Sequence, residues 1–160
     1  GGFIRMDIEK QLISSKELFP AIEELLAEGR QAAFTVTGMS MWPLLCHGRD
    51  QVVIEACQPD LLRRGDIILL QTHLGNYLLH RITKKTDSGV GTTGDGNCFR
   101  DGEFPFSRIR AKVVSLVRNG KVVECSGWKW KVMSQIWMAL FPVRKLMFAV
   151  WFRIRKYVRN

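Results

Sequence analysis

The stretch Asp66-Ile-Ile-Leu-Leu-Gln-Thr-His-Leu-Gly-Asn-Tyr-Leu-Leu-His-Arg-Ile-Thr83 holds two strand-like runs on either side of one turn. Asp66–Gln71 follows the turn Arg64-Gly65, and Tyr77–Thr83 follows Gly75-Asn76, a dipeptide that reverses the chain between paired strands. The pattern predicts a β-hairpin and repeats on both sides. Downstream, Val90–Thr93 opens onto Gly94-Asp95-Gly96-Asn97, while Ile109–Arg118 and Lys121–Cys125 flank Asn119-Gly120, the strongest hairpin signal in the chain. Upstream, Phe34–Thr37 and Gln51–Ala56 are strand-like as well. Six or more short strands with glycine-rich turns predict a mostly β domain over residues 31–125, closed or strongly coiled so that its edges are protected.

Residues 6–30 read as an N-terminal helical segment. Ile8, Leu12, Ile13, Leu18, Phe19, Ile22, Leu25 and Leu26 recur at three-to-four spacing with Glu and Lys between them. Pro20 is expected to split this helix in two, the second piece ending at Gly29. Residues 1–5 carry no structural weight, and residues 1–30 contain no apolar core of secretory-signal type.

Residues 126–160 differ in kind. Trp128, Trp130, Trp137 and Trp151 are four of the chain's five tryptophans. The longest chargeless run, Val132–Val143, is twelve residues, against the roughly 20 a membrane-spanning helix needs. An amphipathic helix kinked at Pro142 is expected, lying on a membrane surface through residues 128–157, with a core-packing helix as the alternative. The charge supports this division. The formal net charge is +9, and the tail holds Lys129, Lys131, Arg144, Lys145, Arg153, Arg155, Lys156 and Arg159 with no acidic residue, which leaves residues 1–124 nearly neutral. No nucleic-acid-binding motif accompanies that charge, so nucleic acid is not an expected partner. The four cysteines, Cys46, Cys57, Cys98 and Cys125, form no Cys-x-x-Cys pair and complete no zinc spacing with histidine; neither a metal nor a cofactor is expected.

The candidate chemistry lies in Thr37-Gly-Met-Ser-Met-Trp-Pro43, a small hydroxyl on a corner between a glycine and a proline. A serine becomes nucleophilic only when a neighbouring base takes its proton. His80 sits mid-strand with Leu78 and Ile82 on its own face, so it points into apolar surroundings, a setting that by default makes a histidine a core residue. Asp95 and Asp101 follow a strand in a glycine-bearing loop, where each alone reads as a turn residue. An acid beside a histidine would fix its tautomer.

Taken in order, these segments resemble a known family. Gly38-Met-Ser-Met-Trp-Pro43 is similar to the Ser-Met-x-Pro box of type I signal peptidases and of the related LexA-type self-cleaving repressors. Arg64-Gly-Asp-Ile-Ile68 resembles the family's Gly-Asp-Ile/Val strand start, Leu79-His-Arg-Ile82 its second box, and Gly94-Asp-Gly-Asn97 with Asp101 its third. The match covers about residues 34–118. Histidine in the second box, where many members carry lysine, is the variant of the endoplasmic-reticulum, archaeal and sporulating-bacterial branch. The resemblance implies a coiled, partly closed signal-peptidase-like β domain and peptide-bond cleavage through an acyl-enzyme. It further implies Ser40 as nucleophile, His80 as general base, Asp101 as orienting acid and Asp95 as supporting carboxylate, with a signal or leader peptide as substrate at a cell membrane.

Two departures stand beside it. Gly38 brings no hydroxyl to the oxyanion, so the Ser40 N–H or another donor must serve. The family's N-terminal transmembrane anchor is matched here by a polar, periodic segment, and the membrane-like element lies at the C-terminal end. A cytoplasmic leader peptidase maturing a small peptide, and a repressor-like or binding module retaining the fold without catalysis, are the competing readings.

Overall fold

The computed structural model describes residues 4–5, 15–36, 40–98 and 100–159. It is mostly β, with helices at both ends. The strands are β1 (Ile4–Arg5), β2 (Ala32–Thr35), β3 (Asp50–Glu55), β4 (Ile67–Gln71), β5 (Tyr77–Lys85), β6 (Gly89–Thr93), β7 (Gly102–Pro105), β8 (Ile109–Arg118) and β9 (Lys121–Glu124). The helices are α1 (Ser15–Ala27), α2 (Trp128–Ala139) and α3 (Arg144–Arg159). All nine strands form one sheet in the order β1-β2-β3-β8-β4-β5-β6-β7, with β9 also on β8. Every pairing is antiparallel except the short parallel contact of β1 with β2.

The ten-residue β8 is the hub. It pairs with β3 along Lys112–Arg118, so its other edge is shared in succession by β4 near Ile109–Lys112 and β9 near Ser115–Arg118. The β4–β5 and β8–β9 hairpins fall where the turn dipeptides predict them. Asn119 and Gly120 take φ of 52° and 78°, the left-handed pair that a two-residue hairpin loop requires. The ends of the path, β1 and β7, do not pair with each other, so the sheet is open and the expected closure does not occur. The edges are kept short instead. β7 is four residues long and ends at Pro105, which has no N–H to extend a ladder. Both β1 and β7 escape the pattern reading because they are too short to show a period.

The unbroken Ile67-Ile-Leu-Leu70 run follows from burial on both faces. Ile67 and Leu69 enter the larger core with Val52, Ile54 and Leu116, while Ile68 and Leu70 enter a smaller one with Leu62, Ile82 and Val90. Helix α1 covers the larger core through Leu18, Phe19, Ile22 and Leu26. Phe19 stacks on Tyr77 at 4.1 Å and meets Phe34 edge-on at 5.7 Å. The helix runs straight through Pro20, where a break was expected. An interior proline costs about 3 kcal/mol, less than the four buried apolar side chains around it gain together at roughly 1.5–3 kcal/mol each.

The tail is not one element. A 3₁₀ turn, Phe141–Val143, containing Pro142 separates α2 from α3. Helix α2 belongs to the core, with Trp130 and Trp137 in the larger cluster, so the core-packing alternative holds for this half. Helix α3 leaves Leu146, Val150, Ile154 and Tyr157 exposed on one stripe. No helix among the described residues is long and apolar enough to cross a membrane.

The segment from Ser40 to Arg49 contains no strand and is held by a buried carboxylate. Asp50, fully buried, accepts hydrogen bonds from the Cys46 N–H at 2.8 Å, Arg49 Nε at 3.0 Å and Arg118 Nε at 3.0 Å. Arg118 Nη2 also donates to the Leu44 carbonyl at 2.6 Å, so the end of β8 clamps the corner. Burial alone would raise the Asp50 carboxyl, but the bonds from Arg49, Arg118 and Cys46 outweigh it and hold it below the usual carboxylate value. A depressed folded-state value means that its stabilisation is full above the unfolded pKa and is lost as pH falls through the folded one. Asp50→Asn is expected to cost about 3 kcal/mol at neutral pH, measured by urea denaturation. The gap from wild type should narrow as pH drops below about 4; a pH-independent gap would show that the charge is not what matters.

Candidate active site

Strand β5 presents His80 and Arg81 to opposite sides of the sheet, because successive residues alternate. His80 is 3% exposed, and its Nδ1 is hydrogen-bonded to Asp101 Oδ2. The same carboxylate oxygen accepts from Thr92 Oγ1 at 2.9 Å. Asp101 is brought there by its own backbone, whose N–H donates to the Thr92 carbonyl at 3.0 Å just before β7 begins. The acid is thus fixed by strand pairing, and its bond to Nδ1 leaves Nε2 as the free ring nitrogen. That Nε2 is buried and has no hydrogen-bond partner among the described residues.

Ser40 lies next to it. Gly94 stands between them: a Cβ built on Gly94 would come within 2.5 Å of the Ser40 carbonyl oxygen and 3.1 Å of His80 Nε2. Only a residue without a side chain lets the serine corner and the imidazole approach this closely. The Ser40 carbonyl accepts from the Gly96 N–H at 2.8 Å, which pins the corner to the same loop. Ser40 itself is half-buried, reachable from solvent. Thr37, Gly38 and Met39 lie outside the described residues, and with them the expected oxyanion position.

Of the four residues proposed from sequence, His80 and Asp101 are in direct contact; Ser40 comes near through its backbone carbonyl, and among the described residues neither its hydroxyl nor Asp95 makes a hydrogen bond to the imidazole. The Asp95 carboxylate is taken by Arg81, at 2.8 Å to Nε and 2.7 Å to Nη2, both side chains 1% exposed. Arg81 Nη1 donates to the Gly65 carbonyl at 2.8 Å. The Asp95 N–H points at Met41 Sδ at 3.4 Å, and its carbonyl accepts from Trp137 Nε1 at 2.9 Å. Asp95 therefore organises the backbone around the site, as a positioning residue.

Thr92, Arg81, Trp137 and Arg144 are not among the site candidates of the sequence reading. Arg81 had a signal: an arginine between apolar neighbours mid-strand implies a buried acidic partner. Arg144 is 2% exposed and donates to the carbonyls of Gly94 and Asn97, each at 3.4 Å, and of Trp137 at 2.9 Å. Burial pulls its guanidinium below the ordinary value, with Asp95 acting in the opposite sense. Two residues beyond Ser40, Trp42 rests against Phe148 and Trp151 of α3 at 5.7 and 6.5 Å between ring centroids. Cys46, Cys57, Cys98 and Cys125 are free thiols, and burial pushes Cys125 up to about 11. No protein-family model matches this chain, and no curated protein matches it either.

Removing the acid from a fully buried, bidentate ion pair leaves an uncompensated guanidinium. Asp95→Asn is expected to lose about 3–5 kcal/mol in chemical denaturation. A loss under about 1 kcal/mol would mean that water reaches Arg81 and that the pair does not hold the site.

Proposed function

We propose that this chain is a serine endopeptidase of the signal peptidase type, acting on a signal or leader peptide, and that its sheet is the signal-peptidase-like β domain. The observation that carries the reading is the His80 ring: Nδ1 is bonded to Asp101, while Nε2 is buried, unbonded and beside the Ser40 corner. A histidine retained only for packing would have both nitrogens satisfied or solvated, which favours an enzyme over a binding module that kept the fold. The in-order resemblance of the four sequence segments supports the same reading.

The chemistry follows from the arrangement. Ser40 Oγ attacks the scissile carbonyl carbon as its proton passes to His80 Nε2. Asp101, held by Thr92, keeps the proton on Nδ1 and stabilises the imidazolium. His80 then protonates the leaving amine as the C–N bond breaks, leaving an ester on Ser40. Water, deprotonated by the same nitrogen, hydrolyses that ester. An extended peptide added along a sheet edge is the substrate form that suits the fold.

Ser40→Ala and His80→Ala are each expected to lower cleavage of a leader peptide by at least about 10³-fold. A fluorophosphonate probe should label the wild type and neither variant. Circular dichroism should show Ser40→Ala folded, and full activity in that variant would rule out the mechanism.

The address belongs to α3. Lys145, Arg153, Arg155, Lys156 and Arg159 are exposed and unaccompanied by any acid, beside the apolar stripe of Leu146, Val150, Ile154 and Tyr157. This composition suits an anionic membrane surface. Co-sedimentation with phosphatidylserine vesicles should exceed that with phosphatidylcholine vesicles. Arg153→Gln with Arg155→Gln should weaken it by about fivefold per charge; equal binding to both vesicle types would remove the membrane from the proposal.

A further inference from the structure

Behind the Gly94–Asp101 loop, on the side of α2 and α3, lies an open cavity of about 500 Å³. Arg64, Lys84, Arg100 and Arg144 line it, with Glu103 as the one acidic lining residue. Glu103 is engaged by Lys84 at 3.3 Å, which leaves three arginines without a carboxylate in contact among the described residues. Two of them crowd one ring: the Arg100 and Arg144 guanidinium carbons lie 5.0 and 5.3 Å from the Phe141 centroid. Two lining residues also hold buried polar atoms without partners, Arg144 Nε and Thr93 Oγ1. Like charges gathered around one hollow repel one another, and an anion among them relieves that repulsion.

We propose that this cavity is a binding site for a phosphate-class oxyanion. A carboxylate matches one guanidinium fork, whereas a tetrahedral dianion accepts from several at once, which suits three arginines converging from different elements. Arg64 comes from the turn before β4, Arg100 from the loop that carries Asp101, and Arg144 from the first residue of α3. An anion bridging Arg100 and Arg144 would tie both ends of the loop together, since Arg144 already holds the Gly94 and Asn97 carbonyls and Arg100 precedes Asp101. On the proposed peptidase reading, occupancy would steady the orienting acid. The binding itself requires no catalysis, so either reading can fail without the other.

The test is thermal unfolding of the full chain titrated with inorganic phosphate at constant ionic strength, with sodium chloride as the matched control. The expected result is a saturable rise in Tm that chloride does not produce. Arg64→Gln and Arg100→Gln alter exposed side chains, so both variants should fold, and each should raise the half-saturating phosphate concentration about tenfold. Dihexanoyl phosphatidic acid in a parallel titration separates the sources: tighter binding than inorganic phosphate assigns a lipid headgroup, and weaker binding assigns the free anion. No saturable rise, or the same half-saturation in both variants as in the wild type, would overturn the proposal.

Discussion

The ion pair between Arg81 and Asp95 is the interaction on which the site depends. Neither side chain reaches water, so the two charges are compensated mainly by each other and by the hydrogen bonds around them, with the Arg144 guanidinium also acting on Asp95. Those bonds run in three directions. Arg81 grips the Gly65 carbonyl at the entry to β4, the Asp95 N–H meets Met41 beside Ser40, and the Asp95 carbonyl takes the Trp137 indole of α2. One buried carboxylate thereby fixes the relative positions of the serine corner, the hairpin that carries His80 and the helix packed behind them. A pair like this is weak evidence of net stability, because desolvation offsets most of its attraction. Its value lies in geometry, since any displacement exposes a charge to an apolar interior.

The alternation of β5 separates chemistry from support by a single residue. His80 turns toward Thr92, Asp101 and Gly94, while Arg81 turns toward Asp95 and α2. The same division recurs in the loop. Two aspartates six positions apart face different histories: Asp101 is brought to the imidazole by the Thr92 ladder, and Asp95 is drawn to the guanidinium. Glycine at position 94 is the condition for both, because the backbone there passes between the Ser40 carbonyl and the His80 ring with no room for a methyl group.

This explains what could be read beforehand. Strand positions and both hairpins were legible because turn dipeptides and β-branched runs act locally. The pairing of His80 with Asp101 was legible only through the resemblance of the four segments to a known family. The resemblance also set Asp101 apart as orienting acid from Asp95 as supporting carboxylate, but Arg81 as the partner of Asp95 was not legible, since it depends on which residue of β5 the loop faces, and register is a property of the folded sheet. Pro20 misled because local propensity was set against tertiary burial, and burial prevailed. The tail misled in a subtler way. Its aromatic and basic content is continuous in sequence, but Pro142 divides it into a helix the core absorbs and a helix it does not.

That division alters what the C-terminal segment contributes. A simple anchor would touch the domain at one hinge. Here α2 donates Trp137 to the Asp95 carbonyl, the first residue of α3 donates to the carbonyls of Gly94 and Asn97, and Trp42, two residues past Ser40, rests on Phe148 and Trp151. The helices therefore contact both the corner that carries Ser40 and the loop that carries Asp101. A force on the exposed face of α3 has a short path to each. Coupling of this kind needs no conformational wire, only that the elements forming the cleft and the element facing outward share buried contacts. Residues that read as a separate tail are, in the folded chain, part of the wall of the site.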